Sequence, residues 1–358
     1  MTGPAYPVVV EPVGFGDLDG WQTDDHAAAL ACFMRSAGTL ANVWPAAREL
    51  SERARLILAG SHGDGAAREF FEHSFVPHEI RHDGAGFVTG YYEPVLAGSR
   101  TRSAAFPVPL YRRPDDLVTL VDDALRGAAG TRLTHARRTS VGDVPFPTRR
   151  EIEEGALAGF GLEICWLADL VDAFFLHVQG SGVVEFAGEA AIRVGYDGKN
   201  GHPYTSVGQV LIAAGEIAAA DMSLATLRAW LAAQPDRARR TLWHNASFVF
   251  FCTEPFEACV GPCGVHGIRL TEGRSLAVDA SVHTIGLPVH VSVPGLADRD
   301  AGGRFHRLMI AQDVGSAITG PERGDIFFGT GPIAGESAGA TRHRAKFHVM
   351  LPREARSS

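Results

Sequence analysis

Three aspartates in the C-terminal third of the chain have the type and setting that catalysis requires. Asp279 ends the apolar run SLAVD, Asp313 ends LMIAQD, and Asp325 precedes a second apolar run in PERGDIFFG. A carboxyl group at the end of a buried strand is partly desolvated, which raises its pKa toward the range that a general acid needs. A single aspartate beside glycine more often accepts backbone N–H bonds in a turn. The presence of three such aspartates in one glycine-dense stretch favours a catalytic role over a purely structural one.

Other residues have the chemistry needed to bind a sugar. Tyr91 and Tyr92 can present an aromatic face to a sugar ring. Amide and hydroxyl groups occur in VQGSG and YDGKNGHPYTS, and these groups can hydrogen-bond sugar hydroxyls or amides. The side chains that carry them are Gln179, Ser181, Asn200, His202 and Tyr204. Each of these residues taken alone is also compatible with a structural role.

The sequence lacks complete motifs of several other enzyme classes. GTGPIAG lacks the spacing of a dinucleotide fingerprint and the Lys-Ser/Thr of a P-loop, and VQGSG is not the elbow of an esterase. AQDVGSA is similar to the D-[TS]-G-[ST] element of aspartic proteases, but Val314 replaces its Thr or Ser. Only one copy is present, so a catalytic dyad would need a dimer. A sugar-binding module without turnover and a glycoside hydrolase that uses water remain further alternatives.

The cysteines and histidines do not form a clear metal-ligand pattern. Cys259, Cys263 and His266 lie close together, but a structural zinc site needs a second ligand pair at a defined spacing. We therefore expect no metal and no organic cofactor. The cysteine count is five, an odd number, and whether any pair forms a disulfide stays open.

Composition excludes some partners. The net charge of −8 argues against nucleic acid, because phosphate binding needs a surplus of Lys and Arg. No window of roughly 18 apolar residues suggests a membrane span. The N-terminus lacks the pattern of a signal peptide, and the first cysteine, Cys32, falls in an expected helix, so we read no lipid anchor. We expect a monomer.

The first eighty or so residues are expected to form three helices. Asp24 and Asp25 can cap the first, the second begins near Pro45, and the third carries the aromatic residues Phe70, Phe71 and Phe75. Further helices are predicted in SVGQVLIAAG, in SLATLRAWLAA and after Thr148, which forms a capping box with Glu151.

Strand patterns occur on both sides of the middle of the chain. FVTGYYEPVL reads as a strand with a proline stop, and FFLHVQGSGVVEF reads as two strands broken at Gly180-Ser181-Gly182. From Ala246 onward five short strands are predicted, in SFVFF, SLAVDA, LPVHVSV, RLMIAQD and KFHVML. We therefore expect a β-rich domain built from residues 1–100 and 241–358, with a second domain, residues 101–240, inserted in it.

Taken together, the motifs resemble the membrane-bound lytic murein transglycosylase A family. The resemblance runs roughly from Phe70 to Pro352, in the family's order, and is specific as a set. Its C-terminal part resembles the domain named for three aspartates. The matching stretches are TGYYEPVL, VQGSG, YDGKNGHPYTSVG, NASFVFF, GRSLAVD and IAQDVGSAITGPERGDIFFGTGPIAGESAG.

The resemblance implies a mainly β fold with N-terminal helices. A large domain with a double-psi β-barrel would carry a smaller inserted β-rich domain, with a glycan groove between them. The family's catalytic acid falls on Asp325, with Asp313 and Asp279 as supporting residues. The residues expected to bind the glycan lie in the matching motifs: Tyr91, Tyr92, Glu93, Gln179, Gly180, Ser181, Asn200, Tyr204 and Gly329.

The implied reaction cleaves the β-1,4 bond between N-acetylmuramic acid and N-acetylglucosamine in peptidoglycan. One carboxyl group acts first as acid and then as base, water is not consumed, and the product ends in 1,6-anhydromuramic acid. The family also implies a location in the periplasm or on the periplasmic face of the outer membrane.

Overall fold

The computed structural model describes residues 9–60, 63–129, 132–297 and 303–353. The first eight residues, which belong to the segment considered for a signal peptide, lie outside these residues. The chain divides into two compact units, and each is described by itself. Unit 1 contains Met1–Gly90, Gly264–Gly329 and Thr341–Ser358, and unit 2 contains Tyr91–Cys263 and Thr330–Ala340.

The helices of the described residues are mostly short. They are α1 His26–Val43, α2 Ala47–Ala59, α3 Gly63–Ser74, α4 Arg149–Glu151, α5 Leu170–Gln179, α6 Val207–Ala213, α7 Leu224–Ala233, α8 Pro235–Leu242 and α9 Pro332–Ala340. None of them combines the length and the apolarity that crossing a membrane requires.

The strands of the described residues outnumber the helices. They are β1 Val9–Pro12, β2 Phe75–Arg81, β3 Phe87–Glu93, β4 Val95–Ser99, β5 Val108–Tyr111, β6 Leu117–Thr119, β7 His135–Thr139, β8 Gly142–Val144, β9 Glu163–Leu167, β10 Ser181–Phe186, β11 Ile192–Lys199, β12 Val249–Pro255, β13 Ser275–Val278, β14 Pro288–Ala297, β15 Arg304–Asp313, β16 Arg323–Thr330, β17 Arg342–Arg344 and β18 Lys346–Pro352.

The three predicted N-terminal helices are confirmed, with one correction at the end of the third. The Asp25 side chain caps α1 by accepting the Ala28 N–H at 2.9 Å. Phe75 was expected in the third helix, but α3 ends at Ser74 and Phe75 begins β2. Pro77 lacks an N–H and disfavours a helical conformation at the residue before it, so the chain extends here. The ring of Phe75 still packs in the helical core, 5.9 Å from that of Phe33.

Unit 1 is built around a nine-stranded sheet with the order β1-β2-β18-β14-β15-β13-β16-β3-β17. Helix α1 packs its apolar face against β15, where Leu308 and Ile310 join Phe33 in one buried cluster. The expectation of a mainly β fold with N-terminal helices is confirmed. All five strands predicted after Ala246 are present, as β12, β13, β14, β15 and β18.

Unit 2 contains a six-stranded sheet, β12-β11-β10-β4-β9-β5, and a three-stranded sheet, β6-β7-β8. The capping box of Thr148 and Glu151 is confirmed at the start of α4, and the helices predicted in SVGQVLIAAG and SLATLRAWLAA are confirmed as α6 and α7.

The prediction of two strands in FFLHVQGSGVVEF is wrong for the first of them, because that segment is helix α5. The Asp169 carboxylate accepts the N–H groups of Val171 and Asp172 at 2.7 and 3.0 Å and so starts the helix. Gly180 ends it in the left-handed conformation, with φ 82°. A continuous apolar run does not distinguish a buried helix from a buried strand, so periodicity could not decide the case.

Candidate active site

The three aspartates lie on or next to neighbouring strands of the unit 1 sheet. Asp325 is in β16, Asp313 is the last residue of β15, and Asp279 directly follows β13. Because β13 lies between β15 and β16, the sheet brings together three residues that are far apart in sequence. They are distinguished by what each carboxyl group contacts.

Asp325 has the environment of a general acid. Its pKa is raised to about 6, mainly by burial and to a smaller extent by the charge of Asp313, against the opposing effects of Arg323 and of a hydrogen bond from Thr89. That bond is short: the Thr89 hydroxyl donates to Oδ1 of Asp325 at 2.6 Å. A carboxyl group with this pKa can hold a proton in mildly acidic solution and still release it during a reaction.

Asp313 is held close to the backbone at the end of β15. Its Oδ1 accepts the N–H of Val314 at 2.9 Å. Gly264 lies against this residue so closely that a Cβ there would be 3.2 Å from Cγ of Asp313 and 2.6 Å from the carbonyl oxygen of Gln312. The carboxyl group is therefore positioned by backbone, and its charge acts on Asp325.

Asp279 connects two loops. Its Oδ1 accepts both the N–H and the hydroxyl of Ser281, at 2.9 and 2.6 Å, and its Oδ2 accepts the N–H of Gly320 at 2.8 Å. The side chain is buried. Gly320 belongs to the segment between β15 and β16, so Asp279 anchors the loop that leads from Asp313 to Asp325.

Two side chains beside Asp325 were not selected as site residues from the sequence. Thr89 is in β3, next to β16 in the sheet, and Arg323 is in β16 itself. Nη2 of Arg323 donates to the Thr89 hydroxyl oxygen at 2.7 Å. A sequence signal existed for Arg323: residues 323 and 325 are two positions apart in a strand, and such residues share one face of a sheet.

The predicted glycan-binding residues that surround the end of β3 contact one another in unit 2. Oε1 of Gln179 accepts the N–H of Tyr92 at 2.9 Å. The ring of Tyr92 lies against α9, where a Cβ at Gly335 would be 2.8 Å from it. Tyr92 is half-buried, and burial raises the pKa of its hydroxyl. Tyr91 is buried.

Glu93 is buried in an ion pair. Its carboxylate accepts two bonds from Arg193, at 2.7 and 3.2 Å, and a third from the Thr330 hydroxyl at 2.7 Å. Glu93 is fully buried and Arg193 is 2% exposed. Both oxygens of Glu93 are thus used within the protein.

Asn200 makes three hydrogen bonds to backbone groups. Its amide nitrogen donates to the carbonyl oxygens of Pro147 and Ala246, and its Oδ1 accepts the N–H of Phe248, each at 2.9 Å. These bonds tie the end of β11 to the start of β12. Tyr204 is half-buried in the segment that follows.

The remaining predicted binding residues lie at the ends of elements. Gly180 is the left-handed C-cap of α5, and Ser181 is the buried first residue of β10. Gly329 in β16 has φ 96°, and a Cβ there would be 2.4 Å from a carboxylate oxygen of Glu272. Only glycine fits this position without displacing that side chain.

In the part of the chain that the structure describes, no group of three or more His, Cys, Asp and Glu side chains is arranged to hold a metal ion. No disulfide joins cysteines there: Cys32 and Cys165 are buried thiols, and Cys252, Cys259 and Cys263 are exposed.

Comparison with known proteins identifies the relatives of this chain. Residues 87–252 match the model of the MltA specific insert domain, and residues 274–351 match the 3D domain. The chain is 35% identical over 269 residues to the membrane-bound lytic murein transglycosylase A of Escherichia coli strain K12. The match covers 73% of this chain and 64% of that protein.

Solved structures of related proteins match nearly the whole length of this chain. A membrane-bound lytic murein transglycosylase from Agrobacterium tumefaciens is 39% identical, with a TM-score of 0.85, and the match covers 96% of this chain and 98% of that one. The MltA of Escherichia coli with bound chitohexaose is 29% identical, with a TM-score of 0.69, over 97% and 94% of the two chains. The chain described here therefore belongs to the membrane-bound lytic murein transglycosylase A family.

Proposed function

We propose that this protein is a peptidoglycan lytic transglycosylase that uses Asp325 as its single acid and base. It would cleave the β-1,4 bond between N-acetylmuramic acid and N-acetylglucosamine and leave a 1,6-anhydromuramyl end. The observation that carries the proposal is the Asp325 carboxyl group, which accepts a hydrogen bond from Thr89 and whose pKa is raised to about 6, mainly by burial and in part by the charge of Asp313. The family to which the chain belongs supports the same reaction.

In the proposed reaction, protonated Asp325 donates its proton to the glycosidic oxygen as the bond from C1 to that oxygen breaks. The C6 hydroxyl of the same muramic acid residue attacks C1, which has oxocarbenium-ion character. Ionised Asp325 then accepts the C6 hydroxyl proton, so the carboxyl group returns to its starting state. Most glycosidases instead use two carboxyl groups that flank the bond.

The supporting aspartates have separate parts in this proposal. Asp313 favours the protonated form of Asp325, because two like charges close together are unfavourable. Asp279 holds the segment between β15 and β16 through its bond to Gly320.

The substrate and its binding residues are part of the same proposal. The relative with chitohexaose bound supports a glycan substrate. The side chains proposed to contact the glycan are those predicted from the motifs, with Tyr92 and Gln179 first because they are partly accessible and contact each other. For Glu93 and Asn200, the proposal is that they shape the binding surface from beneath.

The location, the domain division and the barrel also belong to the proposal. The relatives are named membrane-bound, which supports the periplasm or the periplasmic face of the outer membrane. We propose that residues 1–100 and 241–358 form the catalytic domain, that this domain has the double-psi topology implied by the resemblance, and that residues 101–240 are the insert. The protein is proposed to act as a monomer.

The test is digestion of purified peptidoglycan with the wild-type protein and with Asp325→Asn, followed by mass spectrometry of the released muropeptides. Asp115→Asn is a matched control, because Asp115 has a 97% exposed side chain. Wild type and control should release 1,6-anhydromuramyl ends, and Asp325→Asn should be slower by about 100-fold or more, as expected for loss of a general acid and base.

Other results would replace the proposal. Release of reducing ends would identify a hydrolase that uses water, and Asp313 would be the first candidate for a second catalytic carboxylate. Binding of peptidoglycan with no release of products would identify a glycan-binding module. Full activity of Asp325→Asn would show that the acid is another residue.

A further inference from the structure

Three polar side chains of unit 1 form a continuous hydrogen-bonded series that ends at Asp325. Nη2 of Arg323 donates to Oγ1 of Thr89 at 2.7 Å, and the Thr89 hydroxyl donates to Oδ1 of Asp325 at 2.6 Å. Thr89 and Asp325 are 236 residues apart in sequence, and the pairing of neighbouring strands brings them together.

The direction of this series follows from the chemistry of its members. A guanidinium group is only a donor, so the hydroxyl oxygen of Thr89 must be the acceptor toward Arg323. A hydroxyl group has one hydrogen, and in this arrangement that hydrogen points to Oδ1 of Asp325. If the hydroxyl keeps this orientation when Asp325 is protonated, Oδ1 stays an acceptor and the acidic proton lies on Oδ2.

We propose that Arg323 is a positioning residue that acts through Thr89 to place the catalytic proton on Oδ2 of Asp325. This inference rests on the proposed role of Asp325 as acid and base, and it adds two residues to the site. Without Arg323, the Thr89 hydroxyl is free to rotate and to accept a hydrogen bond from a proton on Oδ1. The carboxyl group would then populate a protonated form whose proton is held by the Thr89 oxygen and is not available to the glycosidic oxygen.

Arg323 is itself held in place for this task. It is half-buried, its Nη1 donates to the carbonyl oxygen of Gly324, and its guanidinium lies 5.7 Å from the centre of the Phe87 ring. A planar guanidinium that is fixed at several points loses little further freedom when it orients a neighbour. Its positive charge also favours the ionised form of Asp325 that must exist after the proton has been donated.

The series makes a prediction about pH. Both Arg323 and the Thr89 bond lower the pKa of Asp325, against the larger effect of burial. Loss of either group should raise that pKa, so the protonated acid persists to higher pH. The alkaline limb of the pH profile of kcat should therefore shift upward, while the plateau rate falls because the proton is no longer confined to Oδ2.

The experiment uses four variants in a muropeptide-release assay with the whole protein. Thr89→Val removes the hydroxyl at nearly constant shape, and we expect kcat to fall about tenfold or more, with the alkaline limb at higher pH. Thr89→Ser keeps the hydroxyl and should restore most of the rate. Arg323→Gln should lower kcat and shift the limb in the same direction. Arg55→Gln is the matched control for loss of charge, because Arg55 has a 62% exposed side chain on α2.

The double variant Thr89→Val/Arg323→Gln decides whether Arg323 acts through Thr89. If it does, Arg323→Gln should change kcat much less in the Thr89→Val background than in the wild type. Losses that multiply would show that Arg323 acts independently and would overturn the proposal. So would wild-type kcat and an unchanged pH profile in Thr89→Val.

Failure of this inference is separable from failure of the proposed function. If Asp325→Asn is inactive and Thr89→Val has normal activity, the role of Asp325 as acid and base stands. The positioning role of Arg323 and Thr89 is then rejected. Thermal unfolding of each variant identifies rates lowered by misfolding. If Thr89→Val does not fold, Thr89→Ala replaces it as the variant without the hydroxyl, and a wild-type kcat in that variant then rejects the proposal.

Discussion

Asp313 and Asp325 are register partners of the same residue, Ala277, from opposite sides. Ala277 of β13 pairs with Asp313 of β15 in parallel and with Asp325 of β16 antiparallel. Neighbouring strands are about 4.8 Å apart, so the backbones of the two aspartates, two strand spacings apart, are separated by about 10 Å. Paired residues point to the same face of the sheet. The two aspartates therefore lie on one face of the sheet with the small residue Ala277 between them, and the charge of Asp313 raises the pKa of Asp325.

A β-bulge creates this relationship. Leu276 pairs with Ala311 but Ala277 pairs with Asp313, so Gln312 is the extra residue in β15. In a regular ladder, Ala277 would pair with Gln312, and Asp313 would be one position further along. Bulges are common next to active sites because they redirect a side chain.

The first prediction concerns the charge of Asp313. Because that charge raises the pKa of Asp325, Asp313→Asn should lower this pKa and move the alkaline limb of the kcat profile to lower pH. This shift is opposite in direction to the one expected for Arg323→Gln. Muropeptide release measured between pH 4 and pH 8 checks it, with Asp115→Asn as a control of equal charge change. An unshifted limb would show that Asp313 exerts no effect on the acid.

The second prediction concerns the residue that forms the bulge. Nε2 of Gln312 donates to the Cys32 carbonyl and the Ser36 hydroxyl, and its Oε1 accepts from the Ser275 hydroxyl at 2.6 Å. Gln312→Leu leaves these buried groups unpaired, so the free energy of unfolding should fall by about 1–3 kcal/mol. Urea denaturation measures the loss, and Gln209→Leu, on the exposed surface of α6, should show little change.

The activity of Gln312→Leu tests the role of the bulge. If Gln312 sets the pairing of Asp313, the alkaline limb of the kcat profile should also move to lower pH in this variant, as expected for Asp313→Asn. A destabilised protein with a normal pH profile would mean that the bulge forms without these hydrogen bonds.

The third prediction separates structure from substrate binding at Glu93. Removing the charge of one member of a buried ion pair leaves the other poorly compensated. Arg193 keeps Glu254 as a partner at 3.5 Å, so Glu93→Gln should destabilise the protein by about 3 kcal/mol, the low end for a broken buried pair. The matched control is Glu189→Gln, because Glu189 pairs with Arg100 at the surface and should contribute less than about 1 kcal/mol. Chemical denaturation compares the two variants. Unchanged stability of Glu93→Gln with a raised KM would assign Glu93 to direct glycan contact.

The fourth prediction is a loss of stability in acid that depends on a buried histidine. Burial and the charge of His348 lower the pKa of His290 to about 4, whereas an unfolded histidine has a pKa of 6.5. The folded state therefore disfavours the proton, so this stability is fully present above pH 6.5 and is lost as pH falls toward 4. The difference corresponds to about 3 kcal/mol.

Denaturation measured between pH 4 and pH 7 tests this prediction. The non-titrating variant His290→Gln should show a smaller decline of the unfolding free energy toward low pH than the wild type. The exposed His73→Gln should follow the wild-type curve. Parallel curves for all three proteins would contradict the assignment to His290.

The sequence by itself determined the features that depend on local interactions. Asp25 and Thr148 begin helices because their side chains accept the N–H group three residues ahead, and such caps can be recognised from the sequence. The strands after Ala246 follow from short apolar runs bounded by glycine and proline. The choice of Asp325 depended on a motif, and its apolar surroundings already indicated a desolvated carboxyl group.

Only the tertiary structure decided what depends on contacts across long distances in the chain. The apolar sequence of α5 is compatible with either a helix or a strand, and its packing partners in the folded protein decide between the two. Thr89 meets Asp325 because β3 and β16 are neighbours, and Glu93 meets Arg193 across 100 residues. The bulge at Gln312 shifts the register between β13 and β15. Register and strand order are set by the packing of the whole sheet, so no local pattern in the sequence contains them.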